Sequence, residues 1–521
     1  MSSSSPGLRR VMLGAVWLSG TGYLAFVFNF GLNLVLARLL FPKDFGQFAL
    51  AGSLVELLSV VTGFSFSQAV IQMQDAPGVV ETAFVLSVRL YAALVLGAVA
   101  LGALLRPHYP GPFIPLFVAL FAVRNLSVIS YVYSALLERA FQYAQVSMIR
   151  LISTVLSIGV ALGLARAGAG VWSLLGREVV LSGVALAGAW VASGWRYRAG
   201  YHAETAKRLW AFGWQMFVAR ALETIWYRAD TALLGVLVGT LVLGYYDRSR
   251  YLAEFGHYLM SFAAVQVAFP VYARLQGRRD ALNYTYRLSH GLLVRLMLPL
   301  VIWLAVFPGE LVGLLYGAGV RWVETAQILP WLAFYGFLFP IVENTKVLLT
   351  GIGQLQDAVR IRLVQVAVAL PLLIPAIHVG GARGAAVTMG MSEIAGLWMA
   401  YTALRRHVIH LSLHLYARPA AAAVAAAGIV AAARGLHLLP WTGRMGYAAN
   451  LGAAAGLYLA GLLLIDRTLL QEFLGAVLSA LRGETPAALS PALNGVSPPT
   501  ASESPEGKRH PLSAPAGEDP P

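Results

Sequence analysis

The chain contains no cysteine in its 521 residues. That excludes disulfides and thiolate metal sites, and it leaves the compartment open. Charge is scarce as well. Asp, Glu, Lys and Arg make up 12% of the residues, against about 25% in an ordinary soluble domain. A water-facing surface for a chain of this length cannot be built from so few charges. Familiar catalytic signatures are missing too. There is no H-E-x-x-H and no P-loop. Gly20-x-Gly22 and Gly351-x-Gly353 follow no strand and lack a third glycine. Gly63-Phe64-Ser65-Phe66-Ser67 lacks the closing glycine of a nucleophile elbow. The expectation is a protein that is not an enzyme.

What the chain has is apolar length. Hydrophobic residues make up 58% of it, and the mean hydropathy is +0.69. A membrane-spanning helix needs about 20 mostly apolar residues. About fourteen such stretches can be placed, at roughly 11–38, 45–73, 82–105, 112–136, 143–166, 169–193, 208–238, 242–273, 285–307, 322–350, 357–379, 382–404, 417–434 and 445–465. A span must satisfy its own backbone, so these are expected to be helices. The short alternating segments of a β-barrel are not seen. The expected fold class is an all-α polytopic membrane protein. Arg9-Arg10 precedes an apolar run that extends to Leu40, too long for a signal core, so it is read as the first span.

The net charge of +14 does not point to nucleic acid, because of where the charge lies. With the N-terminus inside, the inner loops carry Arg9, Arg10, Arg139, Arg196, Arg198, Lys207, Arg208, Arg278, Arg279, Arg360, Arg362, Arg405 and Arg406, among others. The opposite loops carry fewer: Arg38, Lys43, Arg106, Arg166, Arg321, Arg383, Arg434 and Arg444. This bias is the positive-inside pattern and places both termini in the cytoplasm.

A basic, aromatic loop over 194–207 divides the chain into six-helix sets at 1–193 and 208–405. Two more helices are expected within 406–482. The Pro-, Ser- and Glu-rich tail at 483–521 is expected to be disordered. The two sets read as repeats. Leu36, Leu39, Phe45-Gly46 and Phe48 match Leu234, Leu237, Leu243-Gly244 and Tyr246. Leu136-Leu137, Gln142 and Arg150 match Leu348-Leu349, Gln354 and Arg362, with Glu178 near Glu393. An even number of spans per half makes the repeats parallel and places a cavity between them.

The segment Ala37-Arg38-Leu39-Leu40-Phe41-Pro42-Lys43-Asp44-Phe45-Gly46-Gln47-Phe48 resembles the signature that follows the first helix of Wzx-type polysaccharide flippases. Tyr227-Arg228-Ala229-Asp230 through Leu243-Gly244-Tyr245-Tyr246-Asp247-Arg248 resembles their seventh-to-eighth helix segment. Ala135-Leu136-Leu137-Glu138-Arg139 and Gly168-Ala169-Gly170-Val171-Trp172 are also similar. The resemblance covers about 1–410. It implies the multidrug/oligosaccharidyl-lipid/polysaccharide exporter fold, with two six-helix bundles arranged as a V. It also implies a multi-pass place in a bacterial cytoplasmic membrane and an undecaprenyl-diphosphate-linked oligosaccharide as substrate, with a polymerase and other polysaccharide-assembly proteins as partners.

Charges inside spans are costly, so they face a bundle interior or a wet cavity. On the seventh span Arg220, Glu223, Tyr227 and Asp230 share a stripe of about 80°, with Arg228 at its edge. The eighth places Asp247, Arg250, Tyr251, Glu254 and Tyr258 on one face, beside Arg248. The tenth adds Glu343 and Lys346 at helical spacing. The first half adds Asn29, Asn33, Glu56 and Arg124. The substrate-cavity candidates are Arg124, Arg220, Tyr227, Arg228, Arg248, Arg250 and Lys346. Arginine suits phosphate because its planar fork bonds two oxygens and stays charged. Glu56, Glu223, Asp230 and Glu343 are candidates for coupling to H⁺ or Na⁺; no other cofactor and no metal site is expected. Simple structural pairing competes for each of these residues. His407, His410 and His414 could share a face, but their Arg-rich flanks suit an interfacial turn better than a metal site. A drug exporter of the same fold should have an acidic cavity, and a membrane glycosyltransferase or polymerase usually needs larger outer loops or paired carboxylates.

Overall fold

A backbone in lipid has no water to bond, and the described residues answer with helices and no strand. The computed structural model describes residues 6–60, 66–73, 76–107, 111–198, 200–258, 268–317, 319–407, 414–436 and 443–465, with 471 and 475. The first half comprises α1 (Pro6–Leu39), α2 (Pro42–Leu58), α3 (Phe66–Gln72), α4 (Val79–Leu105), α5 (Phe113–Asn125), α6 (Ser127–Arg139), α7 (Tyr143–Arg166) and α8 (Val171–Ser193). The second comprises α9 (Ala203–Leu237), α10 (Thr240–Ala253), α11 (Phe269–Arg274), α12 (Arg279–Val306), α13 (Pro308–Tyr316), α14 (Val323–Gly351) and α15 (Leu355–Arg406). Helices α16 (His414–Gly435) and α17 (Gly443–Ile465) follow. These belong to one unit ending at Leu470; the tail expected at 483–521 lies outside the described residues, as does His410.

Ten helices among the described residues are long and apolar enough to cross a membrane, fewer than the fourteen expected. One of the ten is α15, which holds two expected segments and bends at Gly381, where φ is 54°. The stretch 45–73 is divided between α2 and α3. Of the remaining two, 208–238 lies in α9, whose charged residues lower its hydropathy, and 242–273 begins with α10, which is too short to span at 14 residues, before 259–267, which lies outside the described residues. The expected loop at 194–207 is shorter than anticipated, because α9 begins at Ala203.

Both halves repeat the same backbone landmarks. Phe141 (φ 55°) and Gly353 (φ 81°) hold equivalent left-handed positions after α6 and α14. Gly170 and Gly381 share φ 54° and ψ −130° ahead of equivalent helices. The glycine pair sets Glu393 in register with Ser182, one turn beyond Glu178.

The halves meet where α2 lies along α10. Helix α2 starts sharply: Phe41 is extended, Pro42 takes the first helical position, and Asp44 accepts the Phe41 N–H at 2.9 Å. A Cβ on Gly46 would overlap the Thr240 carbonyl, and one on Gly244 would overlap the Pro42 carbonyl. Glycine is required at both positions because backbone meets backbone. Arg38 donates to the carbonyls of Leu315 (3.1 Å) and Leu314 (3.0 Å), and the Trp322 indole donates to Ala37 O (3.0 Å). One apolar core, including Leu36, Leu50, Phe117, Leu234, Leu243 and Leu332, runs through both halves. At the far end of the chain, Tyr458 donates to Arg295 O (2.7 Å) and Arg434 pairs with Glu310, docking α16 and α17 on α12 and α13.

Candidate functional site

Four arginines from both halves converge on one cavity of about 150 Å³. Arg124 comes from α5, Arg177 from α8, Arg228 from α9 and Arg248 from α10. Glu56 on α2 stands between the first and third. Its carboxylate accepts from Arg124 Nη1 (2.9 Å), Arg228 Nε (2.5 Å) and Arg228 Nη2 (2.9 Å). The bond to Arg228 is bidentate and joins one half to the other. Arg177 donates to Glu178 Oε1 (3.0 Å) and Asn29 Oδ1 (2.5 Å). Arg248 donates to Asp247 Oδ2 (2.6 and 3.0 Å) and Asn33 Oδ1 (3.0 Å), and stacks on Phe45 (4.2 Å). Four guanidiniums thus face three carboxylates, Glu56, Glu178 and Asp247, which leaves a surplus of positive charge.

A second polar cluster is closed. Arg250 grips Asp230 through both carboxylate oxygens (2.6 and 2.5 Å) and Glu254 (2.7 Å). Tyr246 donates to Asp230 (2.6 Å), while Tyr227 and Tyr335 donate to Glu254 (2.7 Å each). Asp230 is fully buried, and Arg250, Glu254 and Tyr335 nearly so. These groups satisfy one another, so Arg250 and Asp230 do not line the cavity. Tyr227 closes this cluster from the cavity side and lies under the Arg228 guanidinium (4.9 Å).

The third cluster lies within the second half. Lys346 bonds Glu223 (2.8 Å) and Glu343 (3.1 Å). Arg362 bonds the same two carboxylates (2.8 and 2.7 Å) and Gln365 (2.8 Å), which donates to Glu393 (2.9 Å). Arg362 was expected in an inner loop. The structure buries it instead, with its guanidinium 3.9 Å from the Trp226 ring centre. Arg220 is exposed and joins none of the three clusters. The cavity therefore gathers Glu56, Arg124, Arg228 and Arg248 from the expected set and adds Arg177 and Asp247, while the buried Glu178 pairs with Arg124 and Arg177. The sequence signal for Arg177 was a charge pair, Arg177-Glu178, in an otherwise apolar run.

Residues 35–327 match the family model described as "Polysaccharide biosynthesis protein". The chain belongs to this polysaccharide biosynthesis protein family. A relative within reach is the succinoglycan biosynthesis transport protein ExoT of Rhizobium meliloti (strain 1021), 24% identical over 337 residues, or 63% of this chain and 67% of that protein. The fold is shared with an inward-closed structure of the lipid II flippase MurJ (TM-score 0.67, 13% identity, 86% of this chain and 99% of that one). It is also shared with an inward-facing multidrug-resistance MATE transporter (TM-score 0.59, 17% identity, 76% and 98%). The chain is thus a member of the polysaccharide biosynthesis protein family with this fold, and ten of its described helices are long and apolar enough to cross a membrane. Both segments that carried the Wzx resemblance lie inside the matched region. Much of their content is architectural: Asp44 caps α2 and faces Gly170, while Gly46 and Gly244 make the inter-half crossing.

Proposed function

We propose that the protein moves undecaprenyl-diphosphate-linked oligosaccharide across a bacterial cytoplasmic membrane by alternating access, for surface-polysaccharide assembly. The observation that carries this reading is the convergence of Arg124, Arg177, Arg228 and Arg248 on one cavity between the halves. A diphosphate offers each planar guanidinium two acceptors and matches the local surplus of positive charge. It competes for the same donors as Glu56. Binding would release Arg228 from Glu56 and so loosen one tie between the halves. Only the polar head needs the cavity; the polyprenyl chain remains in lipid, where burial costs nothing. A cationic drug would meet the wrong sign of charge here.

Coupling to H⁺ or Na⁺ belongs to this proposal. Glu56 and Glu223 are the candidates with substantially exposed carboxylates, at 35% and 46%. Asp230 is held by Arg250, and Glu343 by Lys346 and Arg362. The orientation proposed puts both termini in the cytoplasm, with a polymerase receiving the product outside.

The test uses purified protein in proteoliposomes loaded with an undecaprenyl-diphosphate-linked oligosaccharide on one leaflet. Transfer to the other leaflet is expected, and Arg228→Gln should slow it at least about tenfold, the cost of one charged hydrogen-bonding partner. In cells, deletion should accumulate the lipid-linked oligosaccharide on the cytoplasmic face. An unchanged pool and unchanged surface polysaccharide would defeat the assignment.

A further inference from the structure

Beside the arginine cavity lies a separate pocket of about 380 Å³ inside the first half, bounded by α1, α6, α7 and α8. Its wall is largely apolar, with hydroxyls set into it from Ser130, Ser134, Ser153, Thr154 and Ser182, and Tyr131 and Arg150 also line it. No residue lines both spaces, but hydrogen bonds tie the two linings together. Asn29 lines the pocket and accepts from Arg177 (2.5 Å), and Ser127 lines it while donating to Arg124 O (2.7 Å).

Small hydroxyl residues often serve helix packing in membranes. Here they border open space instead of a neighbouring helix. Several have already spent their proton on their own helix: Ser153 donates to Ile149 O (2.7 Å) and Thr154 to Arg150 O (2.9 Å). Their oxygens retain lone pairs, so this wall accepts hydrogen bonds. Arg150 and Tyr131 supply donors, with the Arg150 guanidinium in electrostatic reach of the Glu138 carboxylate. A space that combines hydroxyl oxygens and a guanidinium with a larger apolar wall suits a ligand that is itself part polar and part apolar.

The other half shows that the fold does not require this space. By the repeat landmarks, Tyr131, Ser134, Arg150, Ser153 and Ser182 correspond to Glu343, Lys346, Arg362, Gln365 and Glu393. Those are the members of the third cluster, which pair with one another and occupy the equivalent volume. At three of these positions the first half has a serine, Ser134, Ser153 and Ser182, where the second has Lys346, Gln365 and Glu393 of the ion network.

Resting on the flippase reading, we propose that the pocket is a carbohydrate subsite that takes the sugar nearest the diphosphate. Arg124 and Arg177 would hold the phosphates at its mouth. A hexose presents hydroxyls that donate to Ser153, Thr154 and Ser182 and accept from Arg150, and an apolar ring face that suits Tyr131.

The full chain in nanodiscs is titrated with undecaprenyl diphosphate and with the same lipid bearing one glucose, galactose or N-acetylglucosamine. At least one glycosylated probe should bind about tenfold more tightly than the bare lipid, as expected when a few hydrogen bonds are added. Ser134→Leu and Ser182→Leu, which fill the pocket, should abolish that margin. Arg150→Gln, at an exposed position that tolerates change, should reduce it about threefold. If every glycosylated probe binds no better than the bare lipid, or if the filled variants weaken bare and glycosylated lipid equally, the subsite is refuted. If bare undecaprenyl diphosphate does not bind at all, the flippase reading itself fails and takes the subsite with it.

Discussion

Glu56 and Asp230 are both carboxylates inside the bundle, and their neighbours assign them different work. Glu56 is partly exposed in the cavity and shared by arginines of both halves. Asp230 is fully buried and bonded by Arg250, Tyr246 and the Thr231 amide. Removing one partner of a buried pair strands the other charge and costs about 3–5 kcal/mol. Asp230→Asn should therefore lower the thermal unfolding midpoint in detergent markedly, while Arg220→Gln, at an exposed side chain, should change the stability by less than about 0.5 kcal/mol and leave the midpoint nearly unmoved. Equal midpoints for the two variants would refute this division. The contrast also shows how far sequence periodicity reaches. Helical spacing correctly put Arg220, Glu223, Tyr227 and Asp230 on one stripe of α9. But α9 is 35 residues long and meets different neighbours along its length. The stripe begins exposed, passes the Lys346 cluster at Glu223 and ends in a sealed interior at Asp230. Spacing along one helix carries no information about which helix lies opposite, which is also why Arg177 and Arg362 went unassigned.

Helices were far more legible than sites, because each apolar run long enough for lipid must become a helix. What sequence could not supply was the join between them. The Gly46–Gly244 crossing of α2 and α10 is visible only once two distant segments are side by side. A valine at Gly46 would press on the Thr240 carbonyl, and overpacking of this kind costs about 1–3 kcal/mol. Gly46→Val should push α2 from α10. Spin labels on Lys43→Cys and Val320→Cys, introduced into a chain with no cysteine of its own, should report a longer and broader distance distribution in the variant. An unchanged distribution would show that the crossing does not set the spacing of α2 and α10. The repeats likewise became secure through conformation more than through residue identity, since Phe141 and Gly353 share a left-handed turn without sharing a side chain.

At the scale of the whole molecule, loop charge sets the orientation to be tested. Cysteines placed at Arg198 or His407 should react with an impermeant maleimide only after the cytoplasmic face is opened. Those at Val320 or Arg383 should react in intact cells. The reverse pattern would invert the topology and, with it, the direction of transport. The inter-half crossing has a consequence for how such a protein changes over generations. Its contact is made by carbonyls and α-carbons, and it shares no residue with the arginine cavity. The side chains of the arginine cavity can therefore be replaced one at a time while the two glycines keep α2 and α10 in the same register.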